Sequence, residues 1–227
     1  MWKDAVWLGV PSNEINKWNI LEGDMTGRFA YYRYEFIVEE QAELNICITA
    51  NSKYRLWVNN QSVLSGPCKG DAYRHYYDEV DISNYLVMGK NVLAVKVLYC
   101  DPNPAISQMD ERASIFGVVG PGGGHRLAVE GILRDTNQKE IACVTTGKVN
   151  WKVYLDGSFY LESNEITVNL GAICESIDFS KLPNDWKEIK FDMQHWEIAE
   201  KLEAVLQDDY TKTVGLIQRF PIKEREI

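Results

Sequence analysis

The sequence predicts a mainly β fold, a sandwich or jelly roll with one short helix near its C-terminus. Three observations carry this reading. Runs rich in Tyr, Phe, Ile and Val are separated by turn residues. Within such runs the apolar positions recur with a period of two. No strand–helix–strand alternation of the kind that builds a doubly wound sheet is present.

Taken in order, FAYYRYEFIV from Phe29, then ELNICITA, then YRLWVNN read as successive strands, rich in the aromatic and β-branched residues that pleated surfaces favour. In YRLWV the period of two puts Tyr54, Leu56 and Val58 on one face and Arg55 with Trp57 on the other. The Leu-Val face is assigned to the core. Asn59-Asn60 tolerates positive φ and suits a tight hairpin corner, with QSVL as the returning strand. DISNYL, from Asp81, supports a single helical turn at most. NVLAVKVLYC is a β-branched run of the kind that fills a sandwich interior. The glycine-rich stretch at 120–124 reads as a loop between strands, because neither G-K-[ST] nor G-x-G-x-x-G ahead of a helix accompanies it. RLAVEGILRD and KEIACVTT form a second hairpin. The short C-terminal helix is expected in DMQHWEIAEKLEAVL, which has an N-cap candidate in Asp192 and apolar residues at Trp196, Ile198, Ala199 and Leu202.

The chain has 227 residues, of which 45% are hydrophobic, enough for a sandwich that needs neither metal nor disulfide to hold its core. Acidic residues outnumber basic ones by 33 to 24, for a formal charge of −9, and no Lys/Arg stripe suits a phosphate backbone. Nucleic acid is not an expected partner. No run approaches the roughly 18 apolar residues of a membrane span, and Asp4 stands where a signal peptide would enter its apolar stretch. The expected location is cytoplasmic, away from membranes. The five cysteines are widely spaced and form no C-x-x-C pair, so they read as reduced thiols. Cys47 and Cys143 sit in apolar runs and are expected to be buried, whereas Cys68 follows Gly66-Pro67 and is expected within reach of solvent. Nothing ties His75, His125 or His195 to a thiol.

The run ITANSKYRLWVNNQSVLSGPCKGDAYRHYYDEVDISNYLVMGKNVLAVKV resembles the N-terminal β-sandwich of α-L-rhamnosidases of glycoside hydrolase family 78. That family has an aromatic-Leu-x-Val-Asn-Gly corner, a Gly-Pro loop, a Tyr-Asp-x-x-Asp-Ile/Leu segment, a Tyr-Leu pair and a Gly-x-Asn-Val-Leu-Ala strand. The similar positions here are Leu56, Val58 and Asn59, Gly66-Pro67, Tyr77-Asp78, Asp81-Ile82, Tyr85-Leu86, and Gly89 with Asn91. Asn60 replaces the usual Gly. The stretches AVWLGVPSNEINKW, YYRYEF, KVNWKV, LPNDWKEIKFDMQHWEIA and LIQRFPI extend the likeness along nearly the whole chain, with Thr146-Gly147 where many members have Thr-Asp. The Asn corner by itself is shared with the sugar-binding domains of galactosidases.

This resemblance implies a jelly-roll β-sandwich of galactose-binding-like fold over residues 1–215, with an N-terminal extension, and a linker over 216–227 toward a following domain. It also implies that inverting catalysis by carboxylates lies in a helical barrel beyond these β domains, so no catalytic residue is assigned to this chain. Asp110-Glu111 and Asp208-Asp209 read as solvated loop acids. Sugar pockets combine an aromatic face with polar groups directed at hydroxyls, which makes Trp57, Asp71, Arg74 and Tyr77 the candidate carbohydrate contacts. Packing is the competing role: Trp57 against a neighbouring strand or domain, and Arg74 paired with Asp71 or Asp78. Some family members carry a calcium-dependent rhamnose-binding sandwich. Calcium takes about 6–8 oxygens. Asp71, Asp78 and Asp81 offer some of these, but no compact Asp-rich loop surrounds them, so no metal residue is assigned and no cofactor is expected, with calcium the alternative. The expected function is therefore a non-catalytic module of an α-L-rhamnosidase, giving structural support and contacting carbohydrate. A stand-alone lectin-like module and a complete small glycosidase are the alternatives. The expected partners are the following domains of the parent enzyme, a rhamnose-containing glycan and, through an exposed apolar patch, a second copy forming a homodimer.

Overall fold

Alternation along the strands sends every second side chain into a shared interior, and two sheets stack to enclose it. The computed structural model describes residues 2–11, 29–51, 53–68, 74–98, 125–161, 175–205 and 215–218. The first sheet runs β15 (Glu200–Ala204), β1 (Val6–Gly9), β9 (Leu127–Asp135), β4 (Asn45–Ala50), β7 (Arg74–Asp81), β16 (Gly215–Gln218). The far end of β9 also pairs β3 (Ala42–Glu43) and β10 (Glu140–Cys143). The second sheet runs β14 (Glu197–Ile198), β11 (Lys152–Leu155), β2 (Phe29–Val38), β8 (Gly89–Leu98), β5 (Lys53–Val58), β6 (Gln61–Gly66). A separate pair joins β12 (Phe159–Leu161) to β13 (Glu175–Ile177). Pairing is antiparallel except at the β16–β7 edge, which is parallel.

Between the sheets lie Tyr32 and Phe36 of β2, Ile46 and Ile48 of β4, Leu56 and Val58 of β5, Leu93, Val95 and Val97 of β8, and Leu127, Val129 and Leu133 of β9. The Leu-Val face of β5 is thus core, as its period predicts, and the run at Asn91 does fill the interior. Each outer face also carries apolar residues. Trp2, Ala5 and Val205 pack on Trp7, Cys47, Tyr77 and Ala128 outside the first sheet. Outside the second, Trp186, Ile189, Phe191, Met193 and Trp196 cover Tyr31, Val92 and Ala94.

The Asn-Asn corner forms as expected, with φ of 49° and 68° at Asn59 and Asn60. Its side chain is a latch. Asn59 Nδ2 donates to the Tyr85 carbonyl at 2.9 Å and to Asn91 Oδ1 at 2.7 Å, while the Val92 N–H donates to Asn59 Oδ1 at 2.9 Å. Asn91 in turn holds the turn before β8, donating to the carbonyls of Val87 and Gly89 at 2.6 and 3.0 Å. DISNYL contributes one 3-10 turn, Ser83–Tyr85, to which Asp81 is tied by the Ser83 N–H at 2.9 Å. The β9–β10 hairpin also forms. Gly147 has a φ of +88°, and a Cβ there would collide with the Val6 side chain.

Two expectations are corrected, the helix from Asp192 and the burial of Cys143. The segment from Asp192 is no helix: a turn leads to β14 on the second sheet and then to β15 on the first. Its apolar spacing of about three arises because the chain crosses between sheets. Trp196 enters the outer layer, Ala199 the interior, and Leu202 and Val205 the opposite outer layer. Pairing and three separate burials outweigh helix propensity there. The expected start of the linker, 216, lies within β16, whose Leu216 pairs with His75, and residues 219–227 lie outside the described residues, so the linker itself stays an expectation. Cys143 is half-buried rather than buried because it closes β10, where β9 covers one side only. Cys47 is buried, and burial pushes its thiol pKa up. Cys68 is half-buried. The 120–124 loop, Cys100 and Cys174 lie outside the described residues.

Candidate functional site

Because β5 presents Leu56 and Val58 inward, Arg55 and Trp57 must stand on the outer face of the second sheet. Trp57 is half-buried there, its ring 5.5 Å from that of Trp186 and nearly perpendicular to it, at 78°. The Arg55 guanidinium carbon and the Lys187 amine each lie 5.2 Å from the Trp57 ring centre. Arg55 also donates to Ser62 Oγ on β6 at 3.2 and 3.3 Å. An indole flanked by donors in this way can take the apolar face of a sugar ring while the cations and hydroxyl meet its oxygens.

Arg33 sets the floor of this face. Fully buried, it donates from Nη1 to the Trp186 carbonyl at 3.0 Å and from Nη2 to Glu35 Oε1 at 2.6 Å, with its guanidinium 5.6 Å from the Phe191 ring centre. Burial lowers the Arg33 pKa, and the Glu35 hydrogen bond opposes that shift. Lys90 closes the group on Glu35 Oε2 at 2.6 Å. One strand along, the Lys96 amine sits 3.8 Å from the Phe29 ring centre and 5.1 and 5.3 Å from those of Tyr31 and Phe159. Burial lowers its pKa, and Asp156 pushes back. Asp156 is fully buried and takes the Tyr31 hydroxyl at 2.6 Å and the Ser158 N–H at 2.7 Å.

Of the four candidate contacts, Trp57 and Tyr77 separate. Trp57 stands outside the second sheet, whereas Tyr77 is buried outside the first, edge-on to Trp2 at 5.6 Å. One sugar ring cannot meet both. Arg74 opens β7, and Asp71 lies outside the described residues. Of the acids weighed for calcium, Asp78 is buried and accepts from the Tyr54 hydroxyl at 2.6 Å, and Asp81 is held by Ser83, whose hydrogen bonds lower its pKa. Among the described residues no group of three or more His, Cys, Asp or Glu is arranged to hold a metal. No described helix is long and apolar enough to cross a membrane. Asp110-Glu111 and Asp208-Asp209 lie outside the described residues. An open cavity of about 190 Å³ at the β11 edge is lined by Val10, Pro11, Val153, Tyr154, Leu155, His195 and Glu197. It is smaller than the roughly 300 Å³ at which ligand pockets usually begin. Of the residues the sequence did not single out, Arg55 was legible from its parity with Trp57, but Lys96 and Lys187 reach the face from other parts of the chain.

No protein-family model matches the chain, and no curated protein matches it in sequence. Solved structures do match it. The α-L-rhamnosidase from Dictyoglumus thermophilum superposes with a TM-score of 0.64 at 17% identity, over 97% of this chain and 22% of its own. The family 78 rhamnosidase of Bacillus sp. GL1 gives 0.61 at 24% identity, over 96% of this chain and 20% of its own. A lectin from Pleurotus ostreatus, solved with GalNAc, gives 0.53 at 16% identity, over 93% of this chain and 45% of its own. The chain therefore spans about a fifth of the length of the two rhamnosidases. What it shares with all three is a fold, the mainly β sandwich that the resemblance of its sequence implies.

Proposed function

We propose that the chain is a non-catalytic β-sandwich module of an α-L-rhamnosidase, acting as a support for the parent enzyme's other domains and as a contact for its glycan. The observation that carries this is the asymmetry of coverage: a rhamnosidase matches this chain over 97% of its length while the match takes up 22% of the rhamnosidase. The family's catalytic carboxylates, by the resemblance, lie in a barrel beyond such domains. Two buried acids of this chain, Asp78 and Asp156, are each held by a tyrosine hydroxyl at 2.6 Å, an arrangement suited to structure rather than proton transfer. The carbohydrate contact is Trp57 with the donors around it. Ile37, Val87 and Met88, all exposed and brought near one another by the Val38–Gly89 pair, form the surface assigned to the neighbouring domains.

The test is one purified chain in two assays. No turnover of an aryl α-L-rhamnoside is expected, and turnover abolished by a single Asp or Glu substitution within the chain would overturn the non-catalytic reading. L-rhamnose or a rhamnosyl oligosaccharide is expected to bind, and Trp57→Ala is expected to remove that binding at a stability cost of about 1–3 kcal/mol, below the ~3–5 of a fully buried aromatic. Unchanged affinity in that variant would remove the contact from this face. The fold shared with the lectin favours a second reading, a self-contained lectin-like module. It is distinguished by glycan affinity undiminished in the absence of any other domain.

A further inference from the structure

Arg55 and Lys96 are directly opposed in the β5–β8 register, and both point outward from the second sheet. Like charges directly opposite one another destabilise an antiparallel pair. Here they splay: Arg55 leans toward Ser62 and Trp57, and Lys96 leans the other way, over Phe29 on β2. Lys187 brings a third cation to the Trp57 ring. Some cations have carboxylate partners, Lys90 on Glu35, Arg134 on Glu140 and Lys148 on Asp4, while others among the described residues, such as Lys53, Lys139 and Lys190, stand singly without one. Among the described residues Arg55, Lys96 and Lys187 have none within salt-bridge distance. What sets these three apart is that each lies over an aromatic ring of one strip, in a chain with 33 acidic residues to 24 basic ones.

We propose that this strip, from Lys187 and Trp57 across Arg55 to Lys96, is a binding site for a carboxylate-bearing sugar, so that the glycan the face meets is acidic. This rests on the reading of the face as a carbohydrate contact and gives that contact its ligand class. The carboxylate lies between Arg55 and Lys96, relieving their repulsion, and the sugar ring lies along Trp57. Charge-assisted hydrogen bonds to a carboxylate are about twice as strong as those to a neutral hydroxyl. Asp156 acts on Lys96 through space but forms no salt bridge with it, being fully buried and already accepting from Tyr31 and Ser158. The net charge of −9 disfavours a long polyanion and leaves a short acidic segment on an aromatic platform as the fitting ligand.

The experiment is a calorimetric titration of the full chain with an oligogalacturonate and with the same oligosaccharide fully methyl-esterified. The acid is expected to bind about tenfold or more tightly, a difference of about 1.4 kcal/mol. Lys96→Gln, which lies apart from the Trp57 contact, is expected to remove most of that preference while leaving the weaker binding of the ester in place, and Arg55→Gln is expected to remove the preference while also weakening the ester. Arg55 is exposed, so its variant keeps the fold. Equal binding of acid and ester, or a preference that survives both substitutions, overturns the proposal. Inorganic phosphate binding as tightly as the acid also overturns it, as the strip is then a simple anion site. Ester or rhamnose binding that depends on Trp57 without any advantage for the acid overturns this inference alone. Failure of every saccharide to bind overturns the carbohydrate contact itself.

Discussion

At the residue scale, Asn59 shows how one side chain converts a hairpin corner into an anchor. Its φ of 49° is costly for most residues, and its amide serves two donors' worth of partners on another part of the chain, at Tyr85 and Asn91, while its oxygen takes the Val92 N–H. Asn59→Ala is therefore expected to lower stability by about 2–4 kcal/mol, from orphaned polar groups and the left-handed backbone together. Urea melts of the variant and of Asn60→Gly check this. Asn60 uses its amide only for a 3.3 Å contact to Glu188 at the surface, so Asn60→Gly should change stability by about 0.5 kcal/mol or less. The resemblance to a corner motif ending in Asn-Gly is thus intelligible as chemistry. The first position needs an amide, and the second needs only a left-handed backbone.

At the element scale, the strands were legible wherever one period governed a run. Leu56 and Val58 turn inward, and the run at Asn91 is core, because a strand with one buried face writes that face at every second position. The segment from Asp192 misled because three burial compartments receive Trp196, Ala199 and Leu202 in turn, and their spacing imitates a helical stripe. Of the candidate face, Trp57 and its parity with Arg55 could be read locally. Its floor could not, since Arg33 meets Trp186 across more than 150 intervening residues, with |i−j| of 153. That covering layer yields a prediction. Arg33→Met leaves the buried Trp186 carbonyl without its donor and is expected to cost about 1–3 kcal/mol. Tryptophan emission should shift to the red as Trp186 and Trp196 gain water; unchanged emission and an unchanged melt would show that the layer holds without the arginine.

At the scale of the whole molecule, the sandwich has three apolar layers rather than one, since both outer faces carry their own cover. The sheet that bears Trp57 therefore offers a strip left beside its cover rather than an open plain, which confines any ligand to the β5 and β8 side. The first sheet is closed at one edge by β15 against β1, joining Leu8 to Lys201, while the Asn59 corner joins residues within a few tens of positions of one another. This difference sets an order of assembly. Closing a long loop is slow because its entropy cost comes before any contact rewards it, so the hairpin and β8 should be in place at the folding barrier and the β1–β15 seam should zip afterwards. Stopped-flow chevrons read this directly: Asn59→Ala should slow refolding, whereas Leu202→Ala, in the late seam, should leave refolding nearly untouched and accelerate unfolding. The seam that joins β1 to β15, strands far apart along the chain, is then also the place where the molecule first comes apart.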